Sequence, residues 1–123
     1  MAKKSAGPVT LYLTQRSLRD LVAIEVFSIE QFGKRVANQY LDKLESGINR
    51  LRDNPELLRE EPPFHSSLRF YRVEKHVLVC ETGAKGKIIV LTLLHGSMDI
   101  PTRLAELEPI LVTEVDLLLK RLK

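Results

Sequence analysis

A single cysteine, Cys80, stands in the 123 residues, so neither an internal disulfide nor a multi-cysteine zinc site can form. It follows the apolar run Val77-Leu78-Val79, surroundings in which a thiol stays protonated and inert. No stretch approaches the roughly 18 apolar residues of a membrane span. The basic start Met1-Ala2-Lys3-Lys4-Ser5 is not followed by the apolar segment and cleavage site of a secretion signal. A strong charge bias is missing too. Lys and Arg number 19 against 16 Asp and Glu, for a net +3, which permits an acidic partner without marking a nucleic-acid binder. Internal repeats and low-complexity segments are also lacking. The expectation is a soluble, cytoplasmic protein of one domain spanning 1–123.

What is present is a change of hydrophobic period along the chain. Val9 to Leu13 alternates apolar and polar residues, as a short strand does. Thr14 or Ser17 can then cap a helix, Ser17 with Asp20 three residues on as a capping box. Leu18, Leu21, Val22, Ile24, Ile29 and Phe32 predict a broad buried face for that helix, and Gly33 is placed to end it. Val36, Ala37, Tyr40, Leu41, Leu44, Ile48 and Leu51 then recur at three and four residues, one apolar stripe on a second helix that Asn54-Pro55 stops. So short a connection predicts an antiparallel helical hairpin.

After an extended connection from Leu57 to Ser67, which contains Pro62-Pro63, the period becomes that of strands: Leu68 to Glu74, His76 to Thr82, and Lys87 to His95. Gly83-Ala84-Lys85-Gly86 makes a hairpin loop between the last two. The final strand is apolar on both faces, as expected inside a sheet. Gly96 to Thr102 reads as a turn-rich exit. A last helix is predicted from Arg103 onward, starting near Glu108 with Pro109 in its first turn. Its stripe is Leu107, Leu111, Val115, Leu118 and Leu122. That stripe is too apolar to remain in water. It predicts docking either on its own domain or, slightly favoured, on a second chain. The fold class is α+β: a helical hairpin packed on a small, mainly antiparallel sheet (β-α-α-β-β-β) with an extra C-terminal helix.

Between Val9 and Leu104 the chain resembles the RelE/ParE superfamily of bacterial toxins, and within it the ParE branch. The resemblance is carried by Asp20-Leu21, Ile24 and Phe32-Gly33, then Ala37, Tyr40, Leu44, Ile48, Leu51 and Asn54-Pro55. Leu68-Arg69, Tyr71-Arg72, His76, Leu94-His95 and Asp99 complete it. The joint order and spacing of these residues is the signal, since each pair alone is commonplace. Two features depart from the pattern. Glu56-Leu57-Leu58 stands where many relatives have a glycine, and Gly96-Ser97-Met98 where many carry an arginine. Residues 104–123 form a C-terminal extension beyond the resemblance.

The resemblance implies a toxin of a type II toxin–antitoxin module, of the kind linked to plasmid stabilisation and growth arrest. ParE-like members inhibit DNA gyrase by binding it, and a ParD-like antitoxin with a flexible tail neutralises them. RelE-like members instead cleave messenger RNA in the ribosome. That chemistry needs a base, an acid and a cation at the phosphate. The last tyrosine here is Tyr71, which leaves His95 with Arg69 and Arg72 as the alternative catalytic set. Alternation puts the two arginines on opposite faces of one strand. Arg69 falls with Tyr71 and Val73, and Arg72 with Leu68, Phe70 and Glu74; the Phe70 face is expected to pack on the helices. The favoured reading therefore has no catalytic residues, cofactor or metal, the three histidines having no spacing that joins two ligands. His76 reads as an ordinary strand residue. The residues expected to meet partners are Arg69, Arg72, His95, Met98, Asp99, Leu111, Val115 and Leu118. Those partners are the antitoxin, gyrase and, through the C-terminal helix, a second copy. Neither a membrane nor sequence-specific DNA binding by the chain alone is expected.

Overall fold

The computed structural model describes residues 9–123; the basic stretch Met1–Ser5 lies outside the described residues. The elements are β1 (Thr10–Leu13), α1 (Gln15–Phe32), α2 (Lys34–Asp53), β2 (Arg59–Glu61), β3 (His65–Val73), β4 (His76–Glu81), β5 (Lys87–His95) and α3 (Ile100–Arg121). They make the α+β fold expected from the sequence. The five strands lie in the order β1-β5-β4-β3-β2. β1 runs parallel to β5, and the other pairs are antiparallel. Among the described residues no helix is long and apolar enough to cross a membrane.

Each face of the sheet has its own core. Leu78, Cys80, Val90 and Leu93 pack with Leu44, Ile48 and Leu51 of α2 on one face. Leu68, Phe70, Val79, Ile89 and Leu91 pack with Leu104, Leu107 and Leu111 of α3 on the other. The register shifts within the β4–β5 pair, beside Val79 and Cys80. A bulge there reverses the phase of alternation, which is why Leu91 and Leu94, three residues apart, share one core. Strand β5 lies inside the sheet, between β1 and β4, and is apolar on both sides because it has a helical layer over each.

The hairpin turns at Gly33, whose φ of 85° is a conformation that L side chains rarely adopt. Its N–H closes α1 on the Ile29 carbonyl at 2.9 Å, and its carbonyl accepts the Ala37 N–H at 3.0 Å. At Gly47, α2 runs so close to β3 that an added Cβ would collide with the Val73 methyls.

Four expectations are corrected. The N-cap of α1 is Thr14, which accepts the Ser17 N–H; Asp20 does not close a capping box with Ser17 but turns to the sheet. The broad buried face expected for α1 is narrow. Leu21 and Ile24 face the core, while Leu18, Val22, Ile29 and Phe32 are exposed. Phe70 packs under α3 and not under the hairpin. Finally, α3 begins at Ile100, with Asp99 as its cap, Pro101 in its first turn and Pro109 inside it. A proline near a helix start reads as a boundary signal, and Pro101 had the better claim to it.

The C-terminal helix also docks in cis. Leu107, Leu111 and Leu118 of the expected stripe are buried against the protein's own sheet, joined by Ile100 and Leu104, with Val115 packed at the edge. Leu122 is left exposed. The preference for a second chain on this stripe is therefore corrected: the sheet face beneath it is itself apolar and takes it up.

Candidate functional site

One end of the sheet gathers the titratable groups. β3 and β4 are joined by the tight turn Glu74-Lys75, with Val73 opposite His76, and Glu74 has a φ of 54°. The exit from β5 lies beside this turn, since the Gly96 N–H donates to the Lys75 carbonyl at 2.8 Å. Antiparallel register puts His76 directly opposite His95. Their rings meet edge to face with centroids 5.2 Å apart. The sequence gives no local spacing that joins these two histidines, because strand pairing across a long hairpin does it. His76 opens β4 as the strand residue expected, and register adds the His95 ring as its neighbour.

The hydrogen bonds around the two rings define what they can offer. Tyr40 reaches from α2 to place its hydroxyl 2.7 Å from His76 Nδ1, and it accepts the Lys75 N–H at 3.1 Å. Burial, together with the neighbouring His95, lowers the His76 pKa to about 4, so the ring is neutral near pH 7. Burial also raises the Tyr40 phenol. The arrangement that satisfies all these groups has Tyr40 donating to Nδ1, which leaves the His76 proton on Nε2. His95 is held similarly, its Nδ1 accepting from the Ser97 N–H at 3.1 Å, with the Ser97 hydroxyl 2.7 Å away. An Nδ1 that accepts an N–H carries no proton, so neutral His95 also presents N–H at Nε2. Both rings are therefore hydrogen-bond donors toward their surroundings.

Arg72 belongs to the same end. Its guanidinium lies against Gly96, where an added Cβ would collide with it. The glycine leaves the room that the flexible Arg72 side chain fills beside the β5 exit. Met98 is exposed in that exit loop. Arg69 is elsewhere. It faces Glu60 of β2 at 3.5 Å and donates to the Ser67 carbonyl at 3.1 Å, so its charge is partnered at the far edge strand. The structure thus brings together Arg72, His95, Met98 and Asp99 and separates them from Arg69. Leu111 and Leu118 lie in the α3 core, with Val115 at its margin. Asp99 has a structural duty, since its carboxylate accepts from the Thr102 hydroxyl at 2.9 Å as the cap of α3.

A second polar network locks α1 to β5. β1 ends at Leu13, leaving the rest of that β5 edge without a strand partner, and such groups must be satisfied. The Thr14 hydroxyl donates to the Leu91 carbonyl at 2.8 Å, and Asp20 Oδ2 accepts the Leu93 N–H at 3.0 Å. Asp20 also takes the Thr92 hydroxyl, which in turn accepts from Arg16 Nε at 3.3 Å. Sequence reasoning quoted Asp20 and overlooked Thr92; a lone threonine in an apolar strand was the available signal. Among the described residues no group of three or more His, Cys, Asp or Glu is placed to hold a metal ion.

Comparison with known proteins bears on this geometry. A family model described as the ParE toxin of the type II toxin–antitoxin system parDE matches residues 11–100. The match runs from β1 to the first residue of α3. Over 94 residues the chain is 32% identical to a protein named Toxin ParE from Escherichia coli, covering 76% of this chain and 91% of that one. A solved chain from the chromosomal ParDE system of P. aeruginosa has the same fold, with a TM-score of 0.62 at 17% identity over 71% of this chain and 95% of that one. A chain of the RelBE2 toxin–antitoxin complex of Mycobacterium tuberculosis aligns with a TM-score of 0.48 at 15% identity, over 72% of this chain and 99% of that one.

Proposed function

The chain belongs to the ParE toxin family of type II toxin–antitoxin systems, and we propose that it inhibits DNA gyrase by binding it and performs no chemistry of its own. The observation that carries this reading is the hydrogen-bonding state of His95. A general base needs an unprotonated nitrogen facing its substrate. The free nitrogen of His95 holds a proton, because Nδ1 is taken by Ser97. To abstract a proton, the ring would have to give up the Ser97 N–H or turn over. Arg69, the second cation of the alternative catalytic set, is paired with Glu60 on the opposite face of β3 from Arg72.

The same groups suit protein recognition. The two imidazoles stand on one face of this sheet end, Arg72 reaches Gly96 in the β5 exit, and Met98 is exposed in the same exit loop. An acceptor-rich loop or carboxylate on a protein target matches such a surface. The partner that neutralises the chain is an antitoxin of the ParD type, as family membership supports. A ribosome-dependent ribonuclease of the RelE kind is the competing reading.

Expression of the chain in growing cells tests the toxin role. Growth should arrest, co-expression of the antitoxin should restore it, and Arg72→Glu should weaken the arrest. Undisturbed growth would identify a toxin relic kept for antitoxin binding alone.

A further inference from the structure

Lys75 is bonded through both its N–H and its carbonyl to elements outside its own hairpin. The loop Glu74-Lys75 sits beyond the β3–β4 ladder, so no strand partner is available to the Lys75 N–H. Tyr40 of α2 supplies one, its hydroxyl accepting that N–H at 3.1 Å from 35 residues away. The Lys75 carbonyl accepts the Gly96 N–H at 2.8 Å. One residue thus joins α2 to the β5 exit.

The ring and the hydroxyl of Tyr40 have separate duties. The ring packs on the core shared by α2 and the sheet, where the fully buried Ala37, Leu44 and Leu51 already fix the helix. The hydroxyl bonds only across the gap, to His76 Nδ1 at 2.7 Å and to Lys75. Both bonds are open in part to solvent, where water competes and the net gain in stability is modest. What they fix is orientation. Two routes from this hydroxyl converge on His95. One passes through the His76 ring, which meets the His95 ring edge to face. The other passes through Lys75 and Gly96 to Ser97, whose N–H holds His95 Nδ1 at 3.1 Å.

We propose that Tyr40 is a positioning residue for the target-binding end of the sheet. Its hydroxyl sets the His76 ring and the Lys75 peptide, and both settings converge on His95 and the loop that carries Met98. This inference rests on the reading of that end as the surface that meets the protein target. Loss of the hydroxyl frees the turn and the β5 exit while leaving α2 packed on the sheet.

Tyr40→Phe tests the proposal, since it keeps the ring and removes the hydroxyl. Its circular dichroism and unfolding midpoint should stay close to those of the wild type. Amide exchange, read residue by residue by NMR, should quicken about tenfold or more at Lys75 and Gly96. The concentration of the chain that half-inhibits gyrase supercoiling should rise by a similar factor. Tyr71→Phe is the control. It removes a hydroxyl that accepts from Arg50 Nη1 at 3.2 Å and has no bond to either amide, so it should leave these readings unchanged. A Lys75 amide unprotected in the wild type, or unchanged exchange at Gly96 in Tyr40→Phe, would overturn the relay. Quicker exchange with undiminished inhibition would overturn the positioning role. A wild type that leaves gyrase unaffected would refute the target reading instead, and the exchange rates would still decide the relay.

Discussion

Glu114 of α3 caps the first turn of α1. Its Oε1 accepts the Arg16 backbone N–H at 3.2 Å across 98 residues of sequence, and its Oε2 lies 3.5 Å from Arg19 Nη2. The first turn of a helix has N–H groups without intrahelical partners and a partial positive charge. A carboxylate from a distant helix answers both, and so it fastens α3 across the N-terminal end of α1.

Removing that carboxylate should therefore loosen the fold. Glu114→Ala should cost about 1–2 kcal/mol, the sum of a lost cap and a lost dipole interaction. Glu114→Gln keeps an acceptor for Arg16 and should cost less. Urea denaturation of the two variants checks the order.

Deleting Ile100 to Lys123 should uncover the face that holds Phe70, Val79, Ile89 and Leu91. The truncated chain should lose cooperative unfolding or associate through that face. A monomer with unchanged stability would show that α3 is an appendage.

Leu44 is fully buried where α2 meets the sheet. Leu44→Ala should cost roughly 2–5 kcal/mol through lost transfer energy and the cavity left behind. Thermal or urea unfolding measures it directly.

His76 sets a pH dependence. Its pKa is 6.5 in an unfolded chain and about 4 in the folded one, so the unfolded state binds more protons between those values. Its contribution is complete above pH 6.5, declines as pH falls toward 4, and is level below that. The loss should be about 1–2 kcal/mol after allowing for solvent screening of a half-exposed ring. Stability profiles of the wild type and His76→Gln should diverge across that window. Parallel profiles would contradict the assignment of a neutral His76.

The elements that announce themselves by period were legible in the sequence. The stripe from Ala37 to Leu51, the double-sided apolar run of β5 and the stop at Asn54-Pro55 each follow from local pattern, and together they give the hairpin and the sheet. The face of α1 was not legible, because Leu18 and Val22 obey helical spacing as well as Leu21 and Ile24 do. Hydrophobicity alone does not say which side meets the core. Pro101 and Pro109 both suit a first helical turn, and the cap at Asp99 decided between them. At the candidate site, His95 and Arg72 stood out from the sequence. Their companions His76 and Tyr40 arrive by strand register and by a helix lying over the sheet, neither of which leaves a local signature. The separation of Arg69 from Arg72 followed from alternation on β3.

The central claim, action by binding without chemistry, is tested most directly by DNA supercoiling with purified gyrase titrated with this chain. The account predicts inhibition that saturates, is relieved by the antitoxin and is weakened by Arg72→Glu. Gyrase that supercoils unhindered, while translating ribosomes show message cleavage that His95→Ala abolishes, would contradict it.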